Sequence, residues 1–166
     1  YALNGEKPEY KYSFEYQNWY PSVEFETKNT VTNVGLFELS PFSKYEIKGE
    51  DAHNELQKIC TANIKDKIGR STYTQLLNSS AGIEADLTII CIDKNHFRVI
   101  SSSATRTHDK THILKYLSTN LEFKDITDDL VCLGVFGPKS RKLMSIISKD
   151  DYSNDNFKFG MGKYSN

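Results

Sequence analysis

The chain has 166 residues, 38% of them hydrophobic, and carries 21 basic side chains against 22 acidic ones. That length supports one substantial core and falls short of two complete domains, so one domain, or part of one, is expected. A near-neutral balance with no basic block interleaved with exposed aromatics excludes the electrostatic footprint of a nucleic-acid or anionic-membrane binder, and leaves small molecules or protein as partners.

Residues 1–26 are rich in aromatics, among them Tyr10, Tyr12, Phe14, Tyr16, Trp19 and Tyr20, and lack a sustained period. They predict an extended arm packed on a larger body. Thr27 to Leu36 can form a short helix, Leu36 to Leu39 a strand ended by Pro41, and Lys44 to Lys48 a half-buried strand by alternation. Asp51 to Cys60 places Ala52, Leu56, Ile59 and Cys60 at helical spacing, with acids in the first turn complementing the helix dipole. Three strands are expected next, Ser71 to Leu77, Leu87 to Ile92 and Phe97 to Ser101, the last two joined as a hairpin through D-K-N-H.

A second amphipathic helix is predicted over His108 to Asn120, with Ile113, Leu114, Leu117 and Leu121 on one face. Leu130 to Phe136, an unbroken apolar run, predicts a buried strand. Gly137 and Pro138 then open a third helix with Leu143, Met144 and Ile147 facing inward. Helices separated by antiparallel strands give an α+β fold, an antiparallel sheet with helices packed on it. The start, Y-A-L-N-G-E-K-P, has neither a basic leader nor an initiating Met, and residues 156–166 place apolar side chains after a polar linker, both as expected of a segment of a longer polypeptide. Cys60, Cys91 and Cys132 lie far apart beside apolar neighbours, the pattern of buried reduced thiols in a reducing compartment. No run approaches the length of a membrane helix, and no phosphate-binding glycine loop or metal-ligand spacing occurs.

The segment G-R-S-T-Y-T-Q-L-L-N-S-S-A-G-I-E-A-D-L-T, Gly69 to Thr88, can carry chemistry. It puts Tyr73 and Asp86 on two strands flanking one polar turn, with Asp86 opening an apolar run in which an unpaired carboxylate is costly. A carboxylate at a strand start also commonly caps a turn, and a strand tyrosine usually packs its ring and bonds its hydroxyl locally. Glu84 alternates with Asp86 and could pair with it. Arg70 could meet an anion or a surface acid. His108 and His112 stand at i, i+4 without a third ligand, the pattern of a solvated helix face.

V-G-L-F-E-L-S-P-F-S-K-Y-E-I-K-G (Val34 to Gly49), T-A-N-I (Thr61 to Ile64), G-R-S-T-Y-T-Q-L-L-N and G-I-E-A-D-L-T closely resemble the folate-binding aminomethyltransferase family, which includes the glycine cleavage T-protein. N-W-Y-P (Asn18 to Pro21) and S-P-F-S-K-Y-E-I-K-G look most like the branch fused behind flavin domains, the dimethylglycine and sarcosine dehydrogenases. The resemblance runs over nearly the whole chain and implies the T-protein-like fold in part: residues 27–166 as the N-terminal part of the folate-binding domain, and 1–26 as its arm. It implies a tetrahydrofolate site with the catalytic aspartate at Asp86 and a folate-contacting tyrosine at Tyr73, and FAD only in an upstream domain. Implied partners are an amine donor, folate and the remainder of the polypeptide, in the cytoplasm or, in a eukaryote, the mitochondrial matrix.

Two departures favour the dehydrogenase branch. Where the T-protein has a second tyrosine after its aspartate this chain has Ile90, and where it has a pocket leucine this chain has Glu46. A non-catalytic folate-binding regulator and a folate-dependent demethylase are the alternative readings.

Overall fold

The structure, a computed structural model, describes residues 5–165. In chain order the elements are α1 (Tyr20–Thr32), β1 (Gly35–Glu38), β2 (Ser43–Lys48), α2 (Ala52–Ile59), β3 (Ser71–Leu77), β4 (Ile83–Asp93), β5 (His96–Ser101), α3 (Arg106–Tyr116), β6 (Glu122–Asp125), a 3-10 turn (Thr127–Asp129), β7 (Leu133–Phe136) and α4 (Ser140–Ile147). They fall into two compact units, Tyr1–Phe37 with Leu133–Asp150 and Glu38–Cys132 with Asp151–Asn166.

The larger unit is a five-stranded sheet in the order β3-β4-β5-β2-β6 with every neighbouring pair antiparallel. Short connections dictate this for β3-β4 and β4-β5: β4 turns into β5 across Lys94 and Asn95, where Asn95 takes a positive φ of 60° that asparagine tolerates well. Alternation then sends one set of side chains to each face. Leu76, Leu87, Ile89, Cys91, Phe97, Val99, Tyr45 and Ile47 point to one face and join Ala52, Leu56 and Ile59 of α2 and Ile113 of α3 in a single buried cluster. Tyr45 is buried with its hydroxyl donating to the Arg106 carbonyl at 2.7 Å, so the phenol brings no unpaired polar atom into the core.

The sheet's β3 edge is covered by main chain. Thr61 N–H donates to Gln75 O, Ser71 N–H to Gly160 O and Gly162 N–H to Gly69 O. Gly69 holds φ at +80°, and a Cβ there would stand 2.5 Å from the Gly162 carbonyl oxygen, so both the backbone angle and the close approach require glycine.

In the smaller unit, Pro21 lies in the first turn of α1, where its missing N–H costs nothing. Asn18 ties the arm to itself: its side chain accepts from Lys11 N–H at 2.9 Å and donates to Glu9 O at 2.8 Å. Tyr10 and Tyr12 both meet the Trp19 ring nearly edge-on, at 5.2 and 5.3 Å. β1 and β7 form a two-stranded sheet with Phe37 against Phe136. Gly137, at φ +112°, lets the chain pass where a Cβ would strike the Thr30 and Asn33 carbonyls.

Several expectations are corrected. The arm is not extended to residue 26, because α1 starts at Tyr20; residues 1–4 of the arm lie outside the described residues. α3 ends at Tyr116, so Leu117 and Leu121 pack on the core from the loop that follows, while Leu114 is exposed. The apolar run before Phe136 is not buried: β7 pairs with one strand only, and Val131, Leu133 and Phe136 are exposed. On α4, Leu143 and Met144 are half-buried and Ile147 is exposed. All three cysteines are free, but only Cys91 is fully buried. Burial nevertheless pushes the Cys60 thiol up to about 12, which leaves it inert at neutral pH. No helix among the described residues is long and apolar enough to cross a membrane.

Candidate active site

The sheet face opposite the helix-covered one brings Tyr73 and Asp86 together. On β3 the residues Thr72, Thr74 and Leu76 point into the core, which leaves Ser71, Tyr73 and Gln75 on the outer face. β4 does the same: Leu87, Ile89 and Cys91 point in, and Asp86, Thr88 and Ile90 point out. In register, Tyr73 lies opposite Thr88 and Gln75 opposite Asp86, so Tyr73 and Asp86 are diagonal neighbours on one face. Such diagonal pairs lie about 7–8 Å apart by Cα, within reach of an aromatic side chain.

Both groups are presented rather than packed. Tyr73 is 62% exposed and Asp86 is exposed too. No hydrogen bond or ion pair within the described residues holds the Asp86 carboxylate or the Tyr73 hydroxyl. Asp86 therefore does not cap the turn, and its exposure removes the desolvation cost its apolar run suggested. The turn is capped by Asn78, whose Oδ1 accepts from the N–H groups of Ser80 and Gly82, each at 2.9 Å.

Further along the same face runs the row Ser71, Ile90, Arg98, Glu46 and Lys124, adjacent to the row Tyr73, Thr88, Ile100 and Lys44. Glu46 accepts from Arg98 Nη2 at 2.6 Å, with Lys48 Nζ at 3.4 Å and His96 Nε2 at 3.3 Å from its other oxygen. The His96 contact makes no hydrogen bond and becomes an ion pair only when the ring is protonated. Partial burial would raise the Glu46 carboxyl, but Arg98, His96 and Lys48 outweigh it and hold the group below its ordinary value. Glu46 is thus a paired anion set in the sheet and not a free acid. Ile90 and Arg98 also border a groove of about 490 Å³ whose other walls include Ile68, Ile92 and Met161.

The two remaining candidates go elsewhere. Among the described residues the Arg70 side chain reaches only the Phe159 carbonyl, at 3.5 Å. Glu84 does not pair with Asp86. The β3–β4 register shifts between Leu76 and Leu77, and Glu84 is bonded to Asn78 Nδ2 at 2.7 Å and to His108 Nε2 at 3.0 Å. His108 was not legible as part of this cluster, because the helix pattern gives no sign of its strand partner; the sole hint was the adjacent Asp109, whose Oδ1 lies 3.1 Å from His108 Nδ1. Asp109 first, then Glu84, hold the imidazole above its ordinary 6.5. A group with a raised folded-state value stabilises the fold fully below its unfolded value and loses that contribution as pH rises through the folded value. Denaturant unfolding across pH should therefore show a stability decrement on the alkaline side of 6.5 that is absent from His108→Gln.

The model of the GCVT N-terminal domain family matches residues 2–165. The chain is 36% identical over 164 residues to 4-methylaminobutanoate oxidase (formaldehyde-forming) of Paenarthrobacter nicotinovorans, covering 98% of this chain and 20% of that protein. It is 34% identical over 158 residues to mitochondrial dimethylglycine dehydrogenase of Rattus norvegicus, covering 93% of this chain and 18% of that protein. The chain thus spans about a fifth of the length of these curated relatives. Among solved structures, the glycine cleavage system aminomethyltransferase T of Bartonella henselae superposes with a TM-score of 0.67 at 24% identity, over 74% of this chain and 34% of that one. That likeness establishes the fold, an antiparallel sheet with helices of the glycine cleavage T-protein type.

Proposed function

We propose, from the premise that this chain belongs to the GCVT N-terminal domain family, that it supplies one wall of a tetrahydrofolate site in an enzyme that moves an amine-derived one-carbon unit. The observation that carries the reading is the unpartnered pair: a carboxylate and a phenol, exposed side by side on the outer face of the five-stranded sheet. Two polar groups free of partners among the described residues are available to a ligand, and a tetrahydrofolate, with a polar ring and a chain of donors and acceptors, matches their chemistry. Tyr73 would stack on or bond to it, and Asp86 would face the reacting nitrogen. When bound, tetrahydrofolate supplies the nitrogen that accepts the one-carbon unit.

Asp86 has two tasks in this account. Its negative charge stabilises the cationic, iminium-like carbon that develops as the amine donor gives up its one-carbon unit, and its carboxylate oxygen accepts the proton released. Thr88 and Gln75, its neighbours on the same face, keep the surroundings polar without competing as bases. The names of the relatives support an amine donor carrying an N-methyl group and an oxidation of that donor; a flavin domain elsewhere in the polypeptide would perform it. In this reading residues 27–166 are the N-terminal part of the folate domain, with 1–26 as its arm.

The test supplies the full-length protein with tetrahydrofolate and, in turn, dimethylglycine, 4-methylaminobutanoate or glycine, and follows methylene-tetrahydrofolate formation. An N-methylated donor should give product. Saturable folate binding without product from any donor would point to a regulatory folate binder instead.

A further inference from the structure

Asp86 stands in a part of β4 that needs external support. The ladder from β4 to β5 starts at Leu87, so Ile83 to Asp86 are paired with β3 alone, next to an exposed turn. A one-sided strand end of this kind frays unless something else holds it. In addition the register slips just before Asp86: Leu76 lies opposite Ala85 and Leu77 opposite Ile83, which leaves Glu84 as the extra residue of a β-bulge. Bulges bend a strand and re-aim the side chains beside them.

Helix α3 grips this bulge from both strands. His112 Nε2 lies 3.2 Å from the Leu77 carbonyl on β3, and His108 Nε2 lies 3.0 Å from Glu84 Oε2 on β4. His108 Nδ1 is 3.1 Å from Asp109 Oδ1, and the second oxygen of Asp109 accepts from the Thr105 hydroxyl at 2.9 Å. Asp109 is completely buried, so the inner end of this chain lies within the protein and not at its surface. An imidazole with a carboxylate at each nitrogen can donate to both only as the imidazolium. The titratable or charged groups around the ring are Glu84 from β4 and Asp109, His112 and Lys115 from α3.

We propose that His108 is a positioning residue for the one-carbon chemistry: as an imidazolium clamped between Asp109 and Glu84, it pins the bulge and thereby the orientation of the Asp86 carboxylate. The inference rests on the reading of Asp86 given above. It assigns the clamp an effect on turnover and not on folate affinity, because His108 lies on the helix side of the bulge and Tyr73 is held by its own strand.

The experiment measures kcat and KM for one-carbon transfer across pH in the full-length protein carrying His108→Ala, His108→Gln, Glu84→Gln or Asp86→Asn. His108→Ala should lower kcat about tenfold, with KM for tetrahydrofolate changed less than about twofold, since a misplaced catalytic group costs rate before binding. His108→Gln, which keeps a neutral donor towards Glu84 and is the variant to use if alanine does not fold, should recover part of the rate and lose the alkaline fall in kcat that the imidazolium imposes. Glu84→Gln, which leaves Asp109 on the ring, should move that fall to lower pH without removing it. Wild-type rates and pH profiles in both His108 variants, with transfer cut at least about 10²-fold by Asp86→Asn, would overturn the clamp alone. Unchanged transfer in Asp86→Asn would overturn the reading of Asp86, and the clamp with it.

Discussion

Asp86→Asn in the full-length protein is expected to cut one-carbon transfer about 10²- to 10³-fold, the range for removing one preorganised charge from a transition state. The side chain keeps its shape and stays on the outer face opposite Gln75, so tetrahydrofolate binding should remain measurable. Nothing in the described residues leans on the carboxylate for structure, since it makes no internal hydrogen bond or ion pair. Stability should therefore be unchanged to within about 0.5 kcal/mol. That separation of rate from stability is what distinguishes a presented acid from a structural one. Steady-state kinetics and thermal unfolding of the same preparation check both halves.

The second large effect is on the fold. Phe97→Ala should cost about 3–5 kcal/mol, because it empties a site at the centre of the buried cluster. Phe97 is 1% exposed, lies between Ile47 and Cys91 across three strands, and has the His53 ring 5.9 Å away. By the usual scaling this lowers the melting temperature by about 10 °C or more for a chain of this size. Ile147→Ala, in the last turn of α4, should change the stability of this chain by less than about 0.5 kcal/mol, because Ile147 is exposed. Both residues are apolar in the sequence, and only the structure tells them apart.

What the sequence made legible follows a physical pattern. β3 and α2 were readable because each has one buried face and one exposed face, so the periodicity of Thr72, Thr74 and Leu76, or of Ala52, Leu56 and Ile59, mirrors the core directly. The resemblance to the folate-binding family is confirmed by membership over residues 2–165, and the α+β class by the sheet and its helices. β6 was missed because Glu-Phe-Lys-Asp on a sheet edge buries little and leaves almost no alternation to read. The start of α1 was missed because it buries no residue and so has no apolar stripe.

At the site, the Tyr73 and Asp86 juxtaposition was readable from a short turn between two strands. The Glu46–Arg98 pair and the Glu84–His108 bond were not, since each joins side chains that only the strand register or a bulge brings together. Alternation placed Glu84 beside Asp86, and a single extra residue in the ladder sent it to a helix instead.

The central claim is that the outer sheet face at Tyr73 and Asp86 is one wall of a tetrahydrofolate site, and calorimetric titration of tetrahydrofolate into the full-length protein tests it most directly. Saturable binding that weakens about tenfold in Tyr73→Ala, or about 1.4 kcal/mol, is the predicted result. Absence of binding to the wild-type protein, or an affinity that Tyr73→Ala leaves untouched, would contradict it.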